Sequence, residues 1–283
     1  MNDGLACSPR GSGSNPPMNA VGIIAGSGRL PFVAAAEARV RGLRVVAIGI
    51  RGETDPALAD QVDALHWVHF GQFGAVVKNL RREGVADALL LGKVDITHLF
   101  SNIRPDLLGA RVLLKARDLR GDSLLEAIVE ILDGEGIRVL ETPPFLGPVL
   151  LPPGVLTRRA PSAREQKDIR LGREIARQIA GLRIGQTVVL KQGTVVAVES
   201  VEGTDAAIRR GGELGRGGVV VVKVGRTDQD LRFDLPTIGP DTLGALQDAR
   251  ATALALEAGR SLLVDRERFV AGANALGLAV VAE

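Results

Sequence analysis

The stretch Val21-Gly22-Ile23-Ile24-Ala25-Gly26-Ser27-Gly28-Arg29-Leu30-Pro31 decides how the first half of the chain is read. Val21–Ala25 is a short run without a polar residue, as expected of a strand covered on both faces. Gly26-Ser27-Gly28 then turns the chain, and an Ala-rich helix is expected from about Leu30 to Arg41. Pro31 suits the first turn of that helix, where its missing N–H loses no bond. Glycines between strand and helix let a ligand approach the backbone, and free N–H groups at the helix start favour an anion such as a phosphate. A tight turn that needs glycine only for geometry would carry the same residues.

The pattern continues outward. Leu43–Ile50 reads as a second apolar strand, Asp55-Pro56 as a helix start and Phe73–Glu83 as a helix. Ala88–Leu91 is a buried strand that ends at Gly92-Lys93. Helices are expected at Asp106–Asp118 and Leu124–Leu132, the latter capped by Asp122 or Ser123, and a strand at Ile137–Glu141. Strands alternating with helices at this spacing predict a parallel sheet with right-handed crossovers. Thr142–Gly154 holds five prolines and two glycines, which marks a linker. The fold class expected is α/β, with a Rossmann-like parallel-sheet domain over 20–147 and a second α/β domain over 148–283. Residues 1–19 read as a disordered tail, and Met18 as an alternative start.

In the second half, a helix at Arg164–Ala180 precedes a hairpin, Thr187–Lys191 and Thr194–Ser200 about a Gln192-Gly193 turn. A short helix follows Glu202-Gly203-Thr204-Asp205, then a strand at Gly217–Val224 and an irregular loop at Arg232–Thr242. A long helix at Leu243–Ala258, a strand at Ser261–Val264, a helix at Arg266–Leu276 and a strand at Ala279–Val281 complete the chain.

Composition excludes several classes of function. The 35 basic and 33 acidic residues leave a net charge of +2, so no overall field points to nucleic acid. Aromatic residues make up 3% and tyrosine is absent, which argues against base-stacking platforms. One cysteine, Cys7, and three histidines rule out a Cys-based zinc site and disfavour a His-rich metal centre. A metal here would take oxygen ligands, as Mg2+ or Mn2+ does. No apolar run has the length of a membrane-spanning helix, and the first 19 residues lack a signal-peptide core, so a cytoplasmic protein is expected.

Four groups of residues could carry chemistry: Gly26, Ser27 and Gly28; Lys93, just past a parallel strand where open α/β sheets bind ligands; Thr204, Asp205 and Arg209; and Lys223 with the loop holding Asp234 and Thr237. Thr204 and Asp205 are read first as helix caps. Asp234 can ligate magnesium or take a proton from water, or tie down its loop. His66 and His69, at i and i+3 of a strand, would face opposite sides and not share a metal. A nicotinamide-dependent oxidoreductase is the enzyme alternative. It is weakened by Pro31 where a dinucleotide fingerprint has its third glycine, and by Gly49-Ile50-Arg51 where it has an acid. A nucleotide-sugar or lipid sensor without turnover is the non-enzyme alternative.

Gly22–Pro31, Ile184-Gly185-Gln186, Glu202-Gly203-Thr204-Asp205 and Arg232-Phe233-Asp234-Leu235-Pro236-Thr237-Ile238-Gly239, in that order, resemble the UDP-2,3-diacylglucosamine pyrophosphatases of lipid A synthesis. The branch resembled is the one not built on the metallophosphoesterase fold, and the likeness runs from Val21 to the C-terminus. It implies hydrolysis of UDP-2,3-diacylglucosamine to lipid X and UMP with a divalent metal, the substrate lying between two domains. It also implies that Asp234 is the essential aspartate, and that Gly26, Ser27, Gly28, Gln186, Thr204 and Asp205 touch substrate. Lys93 is less typical of the family. Lys223 is expected to neutralise a phosphate, and Phe145, Leu146, Val149 and Leu150 of the linker to wall an acyl groove. A homodimer, peripheral to the inner membrane through its lipid substrate, is expected.

Overall fold

A computed structural model describes residues 19–94, 105–116, 121–226, 229–233 and 235–283, with backbone alone at 121 and 122. The first sheet has five strands, β1 (Ala20–Ala25), β2 (Arg44–Ile50), β3 (Ala64–Val68), β4 (Asp87–Leu91) and β5 (Arg138–Val139). Their order is β3-β2-β1-β4-β5 and every pairing is parallel. Around them lie α1 (Leu30–Val40), α2 (Phe73–Arg82), α3 (Leu107–Lys115) and α4 (Gly121–Gly134).

The unbroken apolar runs have a simple cause. Val21, Ile23 and Ala25 of β1 pack with Ala34, Ala35 and Ala38 of α1 on one face. Ile24, Val46 and Ile48 pack with Val76, Leu80 and Ile128 on the other. With both faces covered, neither parity of the strand can be polar.

Two local expectations change. The helix expected at Asp55-Pro56 is a single 3-10 stretch, Pro56–Gln61, with the Asp55 carboxylate accepting the Ala57 N–H at 2.9 Å. Asp122 and Ser123 are not caps, because the backbone is already helical at Gly121. Asp106 does cap α3, accepting the Gly109 N–H at 2.9 Å. It also accepts the N–H groups of Gly74 and Ala75 at the start of α2, at 2.7 and 3.2 Å. One carboxylate thus satisfies donors of two helices.

The second sheet runs β6-β13-β11-β9-β7-β8, formed by Gly154–Val155, Ala279–Ala282, Ala253–Leu256, Val220–Lys223, Thr187–Lys191 and Thr194–Val198. Its centre, β9, β11 and β13, is parallel; β6 and β7 join it antiparallel, and β8 pairs antiparallel with β7. Helices α5 (Ala163–Gly181), α6 (Thr204–Leu214), α7 (Pro240–Asp248) and α8 (Arg266–Ala275) complete this part, with a small parallel pair of β10 (Thr237–Ile238) and β12 (Leu262–Leu263). The long helix expected over Leu243–Ala258 is wrong: α7 stops at Asp248 and β11 follows. Ala253, Leu254, Ala255 and Leu256 are all buried between β9 and β13, so this strand shows no alternation, and its Ala/Leu content mimics a helix.

The expected hairpin forms, with Gln192 and Gly193 both at positive φ (50° and 79°). Asp168 of α5, buried at 5% exposure, accepts their two N–H groups at 2.9 and 2.7 Å. Asp168→Ala should therefore lower stability by about 2–3 kcal/mol, because two donors lose a charged acceptor. Urea denaturation measures this, and a loss below about 0.5 kcal/mol would rule the anchor out.

The proline-rich stretch is packed rather than loose. Phe145 and Leu146 are buried with the α1 cluster, Val149 and Leu150 pack on it, and the Arg41 guanidinium lies 5.1 Å from the Phe145 ring. These residues therefore do not wall an open acyl groove as expected. Among the described residues no helix is long and apolar enough to cross a membrane.

Candidate functional site

Strand order reverses between β1 and β4, and the loops leaving their carboxyl ends interlock there. The Ser27 N–H donates to the Lys93 carbonyl at 2.7 Å, and the Lys93 N–H to the Ser27 carbonyl at 3.0 Å. The Ser27 hydroxyl also donates to Lys93 O, at 2.9 Å, and the Gly26 N–H to Leu91 O, at 2.8 Å. A Cβ on Gly26 would sit 2.4 Å from the Lys93 carbonyl oxygen, and one on Gly92 would sit 2.6 Å from that of Ser27. Both positions need glycine because backbone meets backbone. The donors of Gly26 and Ser27 are thus consumed within the protein. Those of Gly28, Arg29 and Leu30, at the start of α1, have no acceptor among the described residues. An anion at this end would meet those three N–H groups and the exposed Lys93.

Beside this loop opens a cavity of about 390 Å³. Its walls include Phe73 and Val76 of α2, Leu124 and Ile128 of α4, and Phe233 from the second half. Gly92 and Lys93 stand on its lining as well. The apolar volume thus lies on the opposite sheet face from Phe145 and Leu146. His69 lines it, whereas His66 pairs its Nε2 with Glu83 Oε1 at 2.8 Å, so the two rings do go to different places.

A second polar group gathers at the carboxyl end of β9. Lys223, 7% exposed, donates to the Thr204 hydroxyl at 2.8 Å and to that of Thr187 at 3.4 Å. The Thr204 hydroxyl donates to Glu199 Oε1 at 2.7 Å, and the other Glu199 oxygen lies 3.8 Å from the Lys223 ammonium. The Gln186 N–H donates to Glu199 Oε2 at 3.2 Å. Burial pushes the Glu199 carboxyl upward. Lys223, the hydroxyls of Thr187 and Thr204, and the Gln186 N–H outweigh it and hold the group below the usual 4.5. A Cβ on Gly185 would fall 2.0 Å from the Glu199 carbonyl oxygen, so the turn into Gln186 also requires glycine.

The expectation that Thr204 and Asp205 cap α6 is corrected. The N-cap is Gly203 at φ 81°, with no side-chain cap, and the Thr204 hydroxyl is committed to Glu199. Asp205, half-buried in the first turn, has no hydrogen-bond or ion-pair partner among the described residues. Arg209 is not brought to this group. It lies about 140° round α6 from Thr204 and pairs with Asp248 of α7 at 2.9 Å. Thr237 sits in β10 with its hydroxyl on the Leu235 carbonyl at 3.0 Å. Asp234 lies outside the described residues. On either side of it, Phe233 packs in the cavity cluster and Leu235 in the α1 cluster, while the Thr142 N–H and hydroxyl both donate to Leu231 O. The segment leaving β9 therefore crosses onto the first domain. Among the described residues no three His, Cys, Asp or Glu side chains converge as a metal site.

Glu199 escaped the sequence reading. It is one acid at the end of an ordinary strand, and only the fold reveals its partners.

The LpxI N-terminal domain family matches residues 20–148, and the LpxI C-terminal domain family residues 152–281. The chain belongs to the LpxI family. The UDP-2,3-diacylglucosamine pyrophosphatase LpxI of Caulobacter vibrioides is 35% identical over 275 residues, covering 93% of this chain and 97% of its own. Among solved structures, a biotin carboxylase–β-γ-ATP complex from Campylobacter jejuni covers 69% of this chain and 42% of its own, at 11% identity and a TM-score of 0.28. That likeness is too low to carry an argument. The two LpxI domain matches meet inside Thr142–Gly154, where β5 has ended and β6 has not begun.

Proposed function

We propose that this LpxI-family chain hydrolyses the pyrophosphate bond of UDP-2,3-diacylglucosamine, giving 2,3-diacylglucosamine 1-phosphate (lipid X) and UMP in lipid A biosynthesis. The observation that carries the reading is the apolar cavity opening beside Lys93 and the start of α1. A ligand satisfying both is an amphiphile with a phosphate near its acyl chains. The cavity would take acyl carbons, and the N–H groups of Gly28, Arg29 and Leu30 would face phosphate oxygens. Across the crossing segment, Lys223, Thr204 and Gln186 would hold the rest of the head group. Helix α3, which packs against the two helices α2 and α4 that wall the cavity, turns Leu107 and Leu114 to solvent, which suits a meeting with substrate at a membrane surface.

Water attacks phosphorus, the bridging P–O bond breaks, and the leaving phosphate carries the electron pair away. The protein's task is to place the water and offset charge on the phosphate oxygens. Asp234 is assigned to take the water's proton or to ligate the metal. Mg2+ binds through one or two carboxylates plus substrate phosphates. Asp234 and Asp205, the latter without a partner among the described residues, fit that need, whereas Glu199 is already engaged. When bound, magnesium would neutralise phosphate charge.

UMP release from UDP-2,3-diacylglucosamine in detergent, with magnesium and with a chelator, tests the reading. Metal-dependent UMP is expected. Substrate binding with no UMP under either condition would replace it with a sensor.

A further inference from the structure

We propose that Gln229 contacts the substrate, its side-chain NH₂ donating to a phosphate oxygen of the bound pyrophosphate; the inference rests on the pyrophosphatase reading. Gln229 is 6% exposed, in the segment that leaves β9 after Lys223. Its Oε1 accepts the Arg226 N–H at 3.1 Å. The same oxygen lies 2.5 Å from where a Cβ on Gly225 would stand, so the side chain folds back on the root of the loop. The Gly225 N–H is held in turn by Glu257 Oε2 at 3.0 Å.

These contacts set the orientation of the amide. Turning it over would bring its NH₂ against the Arg226 N–H, donor to donor. The buried Nε2 is then a donor with no acceptor among the described residues. Buried amides are rarely left so, because an unmet donor is costly. No described residue meets this donor, whereas an arriving oxygen anion would. Phosphate is the acceptor that suits a donor in the loop rooted at the buried Lys223.

Two variants test this. Gln229→Glu keeps the acceptor for Arg226 and exchanges the donor for an oxygen. Gln229→Met removes both at similar volume. KM for UDP-2,3-diacylglucosamine should rise about tenfold or more in each, the usual loss for a hydrogen bond to a charged group. Methylenediphosphonate with magnesium should raise the thermal midpoint of the wild type but of neither variant. Gln229→Met should itself melt somewhat below the wild type, since the Arg226 N–H loses its acceptor, whereas Gln229→Glu keeps that bond. A wild-type KM and full diphosphonate stabilisation in either folded variant would overturn the proposal. So would a lower Gln229→Met midpoint with unchanged KM, which marks a structural residue. If the wild type releases no UMP, the pyrophosphatase reading fails, and the diphosphonate comparison still decides Gln229.

Discussion

Asp234→Ala should reduce UMP release by about a thousandfold, the size of effect seen when a group acting on developing charge is removed, with the thermal midpoint nearly unchanged. The expected separation of activity from stability comes from the neighbours. Phe233 and Leu235 anchor the segment on opposite faces of the first sheet, and neither anchor depends on a carboxylate between them. Asp234→Asn should lose nearly as much, because an amide neither accepts a proton from water nor attracts magnesium as a carboxylate does. Turnover across a magnesium titration is the measurement. Wild-type turnover in Asp234→Ala would sink the assignment, and a matching drop in melting temperature would make Asp234 structural.

Lys223→Met should damage both activity and stability. The side chains of Lys223 and Glu199 are 9% and 12% exposed, and removing the ammonium leaves the carboxylate in a poorly solvated place. Breaking a buried pair from one side typically costs about 3–5 kcal/mol, more than the pair contributes when intact. Removing the charge from both partners should recover much of that loss. Lys223→Met/Glu199→Gln is thus expected to melt close to the wild type while remaining inactive, for want of the cation proposed to face a phosphate. The sign of the pH dependence follows from Glu199, whose carboxyl is held below 4.5 in the folded chain. Its contribution is present above about 4.5 and is lost as pH falls through the lowered value. Denaturation midpoints at neutral and acid pH check both statements. A single variant as stable as the wild type at neutral pH would show that the pair is not coupled.

Much of the Rossmann-like half was readable because β1, β2 and β4 are buried on both faces and the helices are not, whereas β3, with four of its five residues only half-buried, lacks that texture. Gly26, Gly92 and Gly185 were visible only as glycines. That each stands where another backbone passes within van der Waals contact could not be read from spacing. The same limit produced the misplaced helix of the second half. Ala253–Leu256 is a strand because β9 and β13 lie on either side of it, and its own residues carry no strand signature.

By itself, the sequence determined the class of fold and the motifs that tie the chain to its family, since these rest on local periodicity and on residues adjacent in the chain. Only the tertiary structure decided which face of the first sheet is hollow, that the Thr204 hydroxyl serves Glu199 instead of a helix end, and that Gln229 buries a donor. Each of these depends on which distant backbone or side chain arrives as a partner. Burial and hydrogen-bond satisfaction belong to such pairs, and a single position in a sequence does not name its pair.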